Sequence, residues 1–464
     1  MAWTRIGKGM PTRRRPGRGT GPGRGRGRRT GPGCTVRGGA GRGAAALLAL
    51  GGLACAVPAA GAGFDFFAQG GKASGMAGAF AAQADDLSAI FYNVGGLGLL
   101  PKKKRKAVSA VASVTALHQG LYQGLAPGIG TATTGEQETP LRFPVQAYLT
   151  LPLGDRVVLG MGAYTPFLLT TRWAHPESFA GRHLSVRSGI GSYDLSPGLG
   201  VQLTPKLGIG AALIYRLSQL TEQRRIAFAD PLSGSQVDVA SLDMKTDYRG
   251  GVGWSAGVVH KPSPRFSWGA SYRSQVSTGT IGVGRLTQLP SGNSQLDQLV
   301  QAAFPFGQDL ALASRIQFPS VASAGVALGL SERVLLELDA NRTGWSTVQR
   351  LDFRLPSNPL LDSPNALDFH AASSYRAGLE LKLGTGPRLR LGYAFEQTPQ
   401  PDRTVGAFLP DSSRSILAAG FGLDWLDVAF NWVTYQRRIV TTNVDGLNGN
   451  WRANAWMVAL SATK

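Results

Sequence analysis

The chain has 464 residues, 63 of them Gly and 27 Pro, a load that disfavours long helices because Gly costs about 1 kcal/mol and Pro about 3 kcal/mol in a helix interior. After residue 62 no stretch reaches the roughly 18 uninterrupted apolar residues of a membrane-spanning helix; a helical membrane protein and a long coiled coil are both excluded. Of the formal net charge of +20, +12 comes from residues 1–43, which hold twelve Arg or Lys and no acid, so the rest of the chain is only mildly basic.

Residues 44–62, AAALLALGGLACAVPAAGA, form an uncharged apolar run behind Arg37 and Arg42. Pro58 breaks it, and Ala60-Gly61-Ala62 supplies the small-x-small pattern that a signal peptidase cuts. Cleavage is expected after Ala62, which makes Gly63 the first residue of the mature chain and 1–62 an Arg/Gly-rich extension plus leader. A lipoprotein reading through Cys55 is weaker, because Gly52 stands where a large aliphatic residue is wanted. The RGRGRR run at 24–29, within Arg13 to Arg29, has the composition of an RNA-binding arm, but an overextended start, with the leader opening near Val36, explains it more simply. No nucleic-acid partner is expected. Cys34 and Cys55 are the two cysteines, so the mature chain carries neither a disulfide framework nor a Cys-based metal site.

Residues 63–100, rich in Gly and Ala with short helical patches, are too few to bury a core of their own and must dock into something larger. From residue 107 onward the pattern has period two. Leu207, Ile209, Ala211, Leu213 and Tyr215 alternate with Gly208, Gly210, Ala212 and Arg216. Val334, Leu336 and Leu338 oppose Glu337 and Asp339; Leu389, Leu391, Tyr393 and Phe395 oppose Arg390, Gly392 and Glu396; Val428, Phe430 and Trp432 oppose Asp427 and Asn431. A soluble sandwich turns its greasy face inward, whereas a transmembrane barrel turns it to lipid. The export signal, the absence of mature cysteines and strands of about ten residues favour the barrel. Short turns at Thr204-Pro205-Lys206, Pro262-Ser263-Pro264, Ser331-Glu332-Arg333 and Gly384-Thr385-Gly386 belong on one rim. Polar stretches around 219–245, 281–312 and 351–371 are expected to be long loops on the other.

Residues 63–100 resemble the N-terminal hatch of the FadL family of outer-membrane transporters. The likeness rests on Gly63-Phe64, Ser74-Gly75-Met76-Ala77-Gly78-Ala79, Ala84-Asp85-Asp86-Leu87-Ser88-Ala89 and Phe91-Tyr92-Asn93. It continues in order through Tyr164-Thr165-Pro166-Phe167, Ser271-Tyr272-Arg273, Gly344-Trp345-Ser346, Gly392-Tyr393-Ala394 and Leu409-Pro410-Asp411-Ser412-Ser413-Arg414.

The resemblance implies an all-β fold, a transmembrane antiparallel β-barrel of about 14 strands over 101–464, plugged by the 63–100 hatch. It implies passive uptake of hydrophobic small molecules across the outer membrane with release sideways through the wall. Long-chain fatty acids are the first expectation and aromatic hydrocarbons the alternative; a nonspecific porin would lack the plug. No cofactor and no enzymatic activity are expected. The partners expected are the hydrophobic solute, outer-membrane lipid and lipopolysaccharide, and the barrel-assembly machinery, around a monomer. Ligand contacts are carried over to Phe64, Phe66, Phe67, Asn93, Pro166, Phe167 and to Arg224 or Arg225 as partners for a carboxylate. Departures from the family pattern are Val94-Gly95 after Asn93, where Pro-Ala is usual, and Leu168 in place of the Gly after Pro-Phe.

Three motifs have plainer readings. Pro101-Lys102-Lys103-Lys104-Arg105-Lys106 looks like a nuclear import signal, but behind an export leader it suits a rim turn facing anionic lipid. Gly253-Trp254-Ser255-Ala256-Gly257 matches the hydrolase elbow, which needs a strand-to-helix turn; here it lies in an alternating run. Asp85-Asp86 is expected to accept backbone hydrogen bonds at a helix start.

Overall fold

The computed structural model describes residues 63–125, 132–229 and 234–464; the expected leader and both cysteines lie outside the described residues. Among the described residues no helix is long and apolar enough to cross a membrane. Instead the period-two runs form a closed antiparallel barrel of 14 strands.

In chain order the strands are β1 (Ala107–Leu125), β2 (Ala132–Glu136 and Val145–Pro152), β3 (Val157–Tyr164 and Leu168–Arg172), β4 (Arg187–Thr204) and β5 (Leu207–Ala229). Then come β6 (Gln236–Thr246 and Arg249–Ser263), β7 (Phe266–Arg273 and Val276–Gln288), β8 (Leu310–Phe318 and Val321–Gly329) and β9 (Val334–Thr343 and Arg350–Arg354). The last are β10 (Ser363–Ala366 and Ala372–Lys382), β11 (Arg388–Glu396), β12 (Arg414–Gly422), β13 (Leu426–Tyr435) and β14 (Gly449–Thr463). Sequential strands pair as hairpins, and β14 pairs back on β1 from Ser109 opposite Thr463 to Gly124 opposite Gly449, which removes any free edge.

The alternation resolves as the barrel requires. Leu213, Val252 and Leu391 project from the outer wall, each more than 60% exposed, while Arg216, Glu337, Arg390 and Asn431 from the same or neighbouring strands are buried inside. A greasy outside and a polar inside are what a bilayer selects. Tight turns join β4 to β5, β6 to β7, β8 to β9 and β10 to β11 at one rim, which is therefore the periplasmic one. Both the hatch exit at 101–106 and Lys464 lie there, the latter hydrogen-bonded through its backbone to Val108.

At the opposite rim the structure corrects one expectation. Much of 219–245 is not loop: β5 runs on to Ala229 and β6 starts at Gln236, so the hairpin stands as a ribbon beyond the membrane. Leu220, Ala240 and Leu242 are buried on its inner face, while the polar Gln223 and Asp243 stand opposite each other on the outer one. Part of 281–312 is likewise ordered, with a helix at Ser294–Ala303 whose N-cap Asn293 accepts from the amides of Gln295 and Leu296.

Candidate functional site

The hatch is short of regular structure: single turns at Gly71–Ser74 and Ala89–Tyr92 and a 3-10 helix at Val94–Leu99. Its order comes from the wall. Asp339 of β9 accepts the amides of Phe80 and Ala81 at 2.7 and 2.9 Å, and Glu337 accepts those of Ala82 and Gln83 at 2.7 and 3.1 Å. Four consecutive amides that no helix satisfies are thus held by two inward carboxylates two residues apart on one strand. Arg376 of β10 donates to the carbonyl of Ala77 at 2.7 Å and ion-pairs with Glu396, which also binds Arg414 at 2.5 Å. Asn93 caps the 3-10 helix by accepting from Gly95, and its amide donates to Ala81 O at 2.8 Å and to Val258 O of β6 at 2.9 Å.

Asp85 is not a helix cap. It pairs with buried Lys72 at 2.7 Å, and this neighbouring cation holds its carboxyl below the usual range against the cost of burial. Asp86 does act locally, accepting from the amide and hydroxyl of Ser88 at 2.8 and 2.6 Å.

The first residues of the hatch form a short strand against the wall. Phe66 N donates to Pro166 O at 2.9 Å, Leu168 N donates to Phe64 O at 3.1 Å, and Asp65 bridges Phe167. Arg414 adds a bond to Asp65 O at 3.0 Å, and Gly63 N reaches the carboxylate of Asp411 at 3.0 Å. This pairing occupies a break in β3. Between its two segments lies Pro166, which has no N–H to give a ladder. Below the break β3 pairs with β2 from Ala147 opposite Ala163 to Pro152 opposite Val158; above it Gln137 bridges Trp173. In between, over 139–146 and 164–171, no backbone ladder joins β2 to β3 among the described residues. Arg142 Nε spans the break to Thr170 Oγ1 at 3.1 Å. A cavity of about 170 Å³ sits there, lined by Phe66, Phe67, Arg142, Leu168 and Thr170 together with Met457.

Behind this gap, on the extracellular side of the plug, is a large apolar interior. Phe64 stands at its edge with four aromatic neighbours: Trp345 at 4.7 Å between ring centres, Phe167 at 5.7 Å, Phe318 at 6.2 Å and Phe369 at 6.5 Å. The cluster continues through Leu220, Leu242, Leu286, Leu312, Phe353 and Leu361. Arg216 lies over the rings of Phe167 and Phe318 at 4.7 Å but is taken by a bidentate pair with Asp194 at 2.7 Å.

The residues expected at the site therefore separate. Phe64, Pro166 and Phe167 meet at the gap. Phe66 and Phe67 pack in a second cluster with Ala394, Ile416, Val433 and Met457. Asn93 is a brace between hatch and wall. Arg224 faces inward opposite Leu242 and donates to the carbonyls of Leu361 and Asp362 at 3.1 Å, its Nε buried with no hydrogen-bond partner. Arg225 stands opposite Ser241 on the other face of the strand, its Nε likewise buried with no hydrogen-bond partner. Trp345, Phe318, Phe369 and Asp411 were missed as site residues. Trp345 and Asp411 stand inside blocks already noted, whereas Phe318 and Phe369 carry no local signal because only closure of the barrel brings them to Phe64. Ser255 of the G-x-S-x-G run lies mid-strand in β6, without an elbow.

Comparison with known proteins extends the geometry. Residues 52–464 match the family model described as outer membrane protein transport protein (OMPP1/FadL/TodX). The long-chain fatty acid transport protein of Escherichia coli O6:H1 is 24% identical over 327 residues, 65% of this chain and 69% of that one. The crystal structure of a Pseudomonas aeruginosa FadL homologue superposes with a TM-score of 0.73 at 20% identity, covering 87% of this chain and 99% of the other. The Pseudomonas putida toluene transporter TodX superposes at 0.62 and 15% identity, covering 86% and 99%.

Proposed function

The chain belongs to the FadL/TodX family of outer-membrane transport proteins, and from that premise we propose that it admits long-chain fatty acids by passive diffusion, with lateral release through the break in β3. The observation that carries this reading is the continuous apolar interior with Phe64 at one edge and Arg224 beside Leu361 at another. An acyl chain gains about 0.8 kcal/mol per methylene on leaving water, and the free Nε–H of Arg224 offers a charge-assisted bond to a carboxylate. An aromatic hydrocarbon would use the same rings without Arg224, so it stays the second reading, supported by the likeness to TodX.

In this mechanism the ligand displaces Phe64. With Gly63 as the mature N-terminus, its ammonium group pairs with Asp411, and release of that latch together with the Phe66–Pro166 pairing frees 63–68 from the wall. The ligand then passes from the interior into the cavity beside Leu168 and Met457 and out between β2 and β3 into the bilayer. No step needs catalysis or a cofactor. The protein acts as a monomer in contact with lipopolysaccharide, inserted by the barrel-assembly machinery. Uptake of labelled oleate and labelled toluene in a host lacking its own transporter tests the proposal. Oleate uptake should rise and fall again in Arg224→Gln, with toluene unaffected by that change. Stimulation of toluene alone replaces fatty acid with hydrocarbon, and stimulation of neither refutes transport.

A further inference from the structure

The periplasmic end of the barrel holds a separate cavity of about 490 Å³ beneath the hatch. Its carboxylates are already committed. Asp85 and Glu380 pair with Lys72 at 2.7 and 3.6 Å, Glu380 and Asp427 pair with Arg390 at 2.8 and 2.6 Å, and Asp424 pairs with Lys103 and Arg388 at 3.0 and 3.1 Å. Asp86 is held by Ser88.

The remaining cations are not matched. Lys104, Lys206 and Lys261 line the same cavity, and among the described residues none has a carboxylate at ion-pairing distance. Each ammonium donates to one backbone carbonyl, of Asp85 at 3.1 Å, Pro262 at 2.6 Å and Gln83 at 3.2 Å respectively, which leaves N–H groups free on every one. One further polar group points to a missing partner. Tyr148 OH lines the cavity in a residue 2% exposed and has no hydrogen-bond partner. Buried polar groups left unpaired cost free energy, and an excess of positive charge in a concave, partly dry site concentrates anions.

We propose that this vestibule is an oxyanion site that takes one carboxylate or phosphate group. Lys104 and Lys261 supply its charge and the Tyr148 hydroxyl a directional donor. The site lies at the end of the barrel opposite Arg224 and goes beyond the transport reading without depending on it. The anion has two sources with the same chemistry, a free small anion from the periplasm or the headgroup of a lipid of the inner leaflet, whose chain would follow Leu87 of the hatch and Val111 and Phe266 of the wall.

With the expected cleavage after Ala62 both cysteines are removed, so Ser263→Cys at the cavity mouth gives a single reporter. Its labelling by a neutral maleimide is measured at low ionic strength against increasing inorganic phosphate or dodecyl phosphate. Saturable slowing of at least fivefold is expected, with the half-saturating concentration raised at least tenfold by Lys104→Gln/Lys261→Gln. Protection by inorganic phosphate identifies a free anion as sufficient; protection by dodecyl phosphate alone identifies a lipid headgroup. Failure of both anions to protect overturns the proposal, as does equal protection in the double variant. Retention of the migration shift between unboiled and boiled samples establishes that the variant is folded, and if it is not, protection in the otherwise unaltered chain decides alone.

Discussion

Replacing Phe64 by Ala tests whether the first hatch residues are a latch or part of a rigid plug. Phe64 is 1% exposed and meets four aromatic rings. Truncation of such a side chain in a fixed core costs about 3–5 kcal/mol. Against this loss stand the bonds that remain: Gly63 to Asp411, Phe66 to Pro166, Leu168 to Phe64 and Arg414 to Asp65. At about 1 kcal/mol net for each, they still favour the docked segment but do not replace what the substitution removes. Docking should therefore weaken by about 3–5 kcal/mol while the barrel, closed by β1 and β14, stays intact. Amide exchange at Phe66 reads this directly, because its N–H is bonded to Pro166 only when the segment is docked. Protection should fall by roughly 100-fold or more, since each 1.4 kcal/mol is a factor of ten, with the unboiled gel migration unchanged. Protection within fivefold of the parent would refute the latch and leave Phe64 as ordinary packing.

Two further predictions concern the plug. A Cβ at Gly392 would run into the backbone of Met76 and Ala77, so Gly392→Ala should push the hatch off the wall, at about 1–3 kcal/mol, and raise ion conductance in planar bilayers several-fold; unchanged conductance would mean that the hatch does not seal there. Burial, with Glu396 nearby, pushes the Asp65 carboxyl up to about 6 against the opposing pull of Arg414, Arg376 and Arg273. A raised acid binds its proton more tightly when docked, so this contribution to docking is full below about pH 4 and is lost as pH rises through 6. Proteolysis near Asp65 should therefore be faster at pH 8 than at pH 5, and Asp65→Asn should reduce the difference, leaving the part due to the Gly63 ammonium.

Much of this architecture was legible in the sequence because a bilayer imposes a period-two code over each strand. Leu389 and Leu391 against Arg390, or Leu336 and Leu338 against Glu337, could sit only one way once the apolar face was given to lipid. The inward charges were visible too, but their role was not. Nothing in the order Glu337-Leu338-Asp339 says that it will hold the amides of 80–83, because that contact spans more than 250 residues and exists only inside a closed barrel. Arg224 and Arg225 show the limit from the other side. The sequence offers both as anchors, and only the register with Leu242 and Ser241 turns one inward. The ribbon formed by β5 and β6 read as loop because Gln223, Arg225, Asp243 and Lys245 put polar side chains on its outer face, where strands within the membrane carry apolar ones.

The claim on which the rest stands is that the ligand leaves through the break between β2 and β3. Arg142→Cys/Thr170→Cys places thiols on the two sides of that break, where the parent side chains already touch, and a short bismaleimide can bridge them. Labelled oleate uptake should proceed in the unbridged double variant and drop to the level of transporter-free cells once bridged. Equal uptake before and after bridging would place the exit elsewhere and contradict the account.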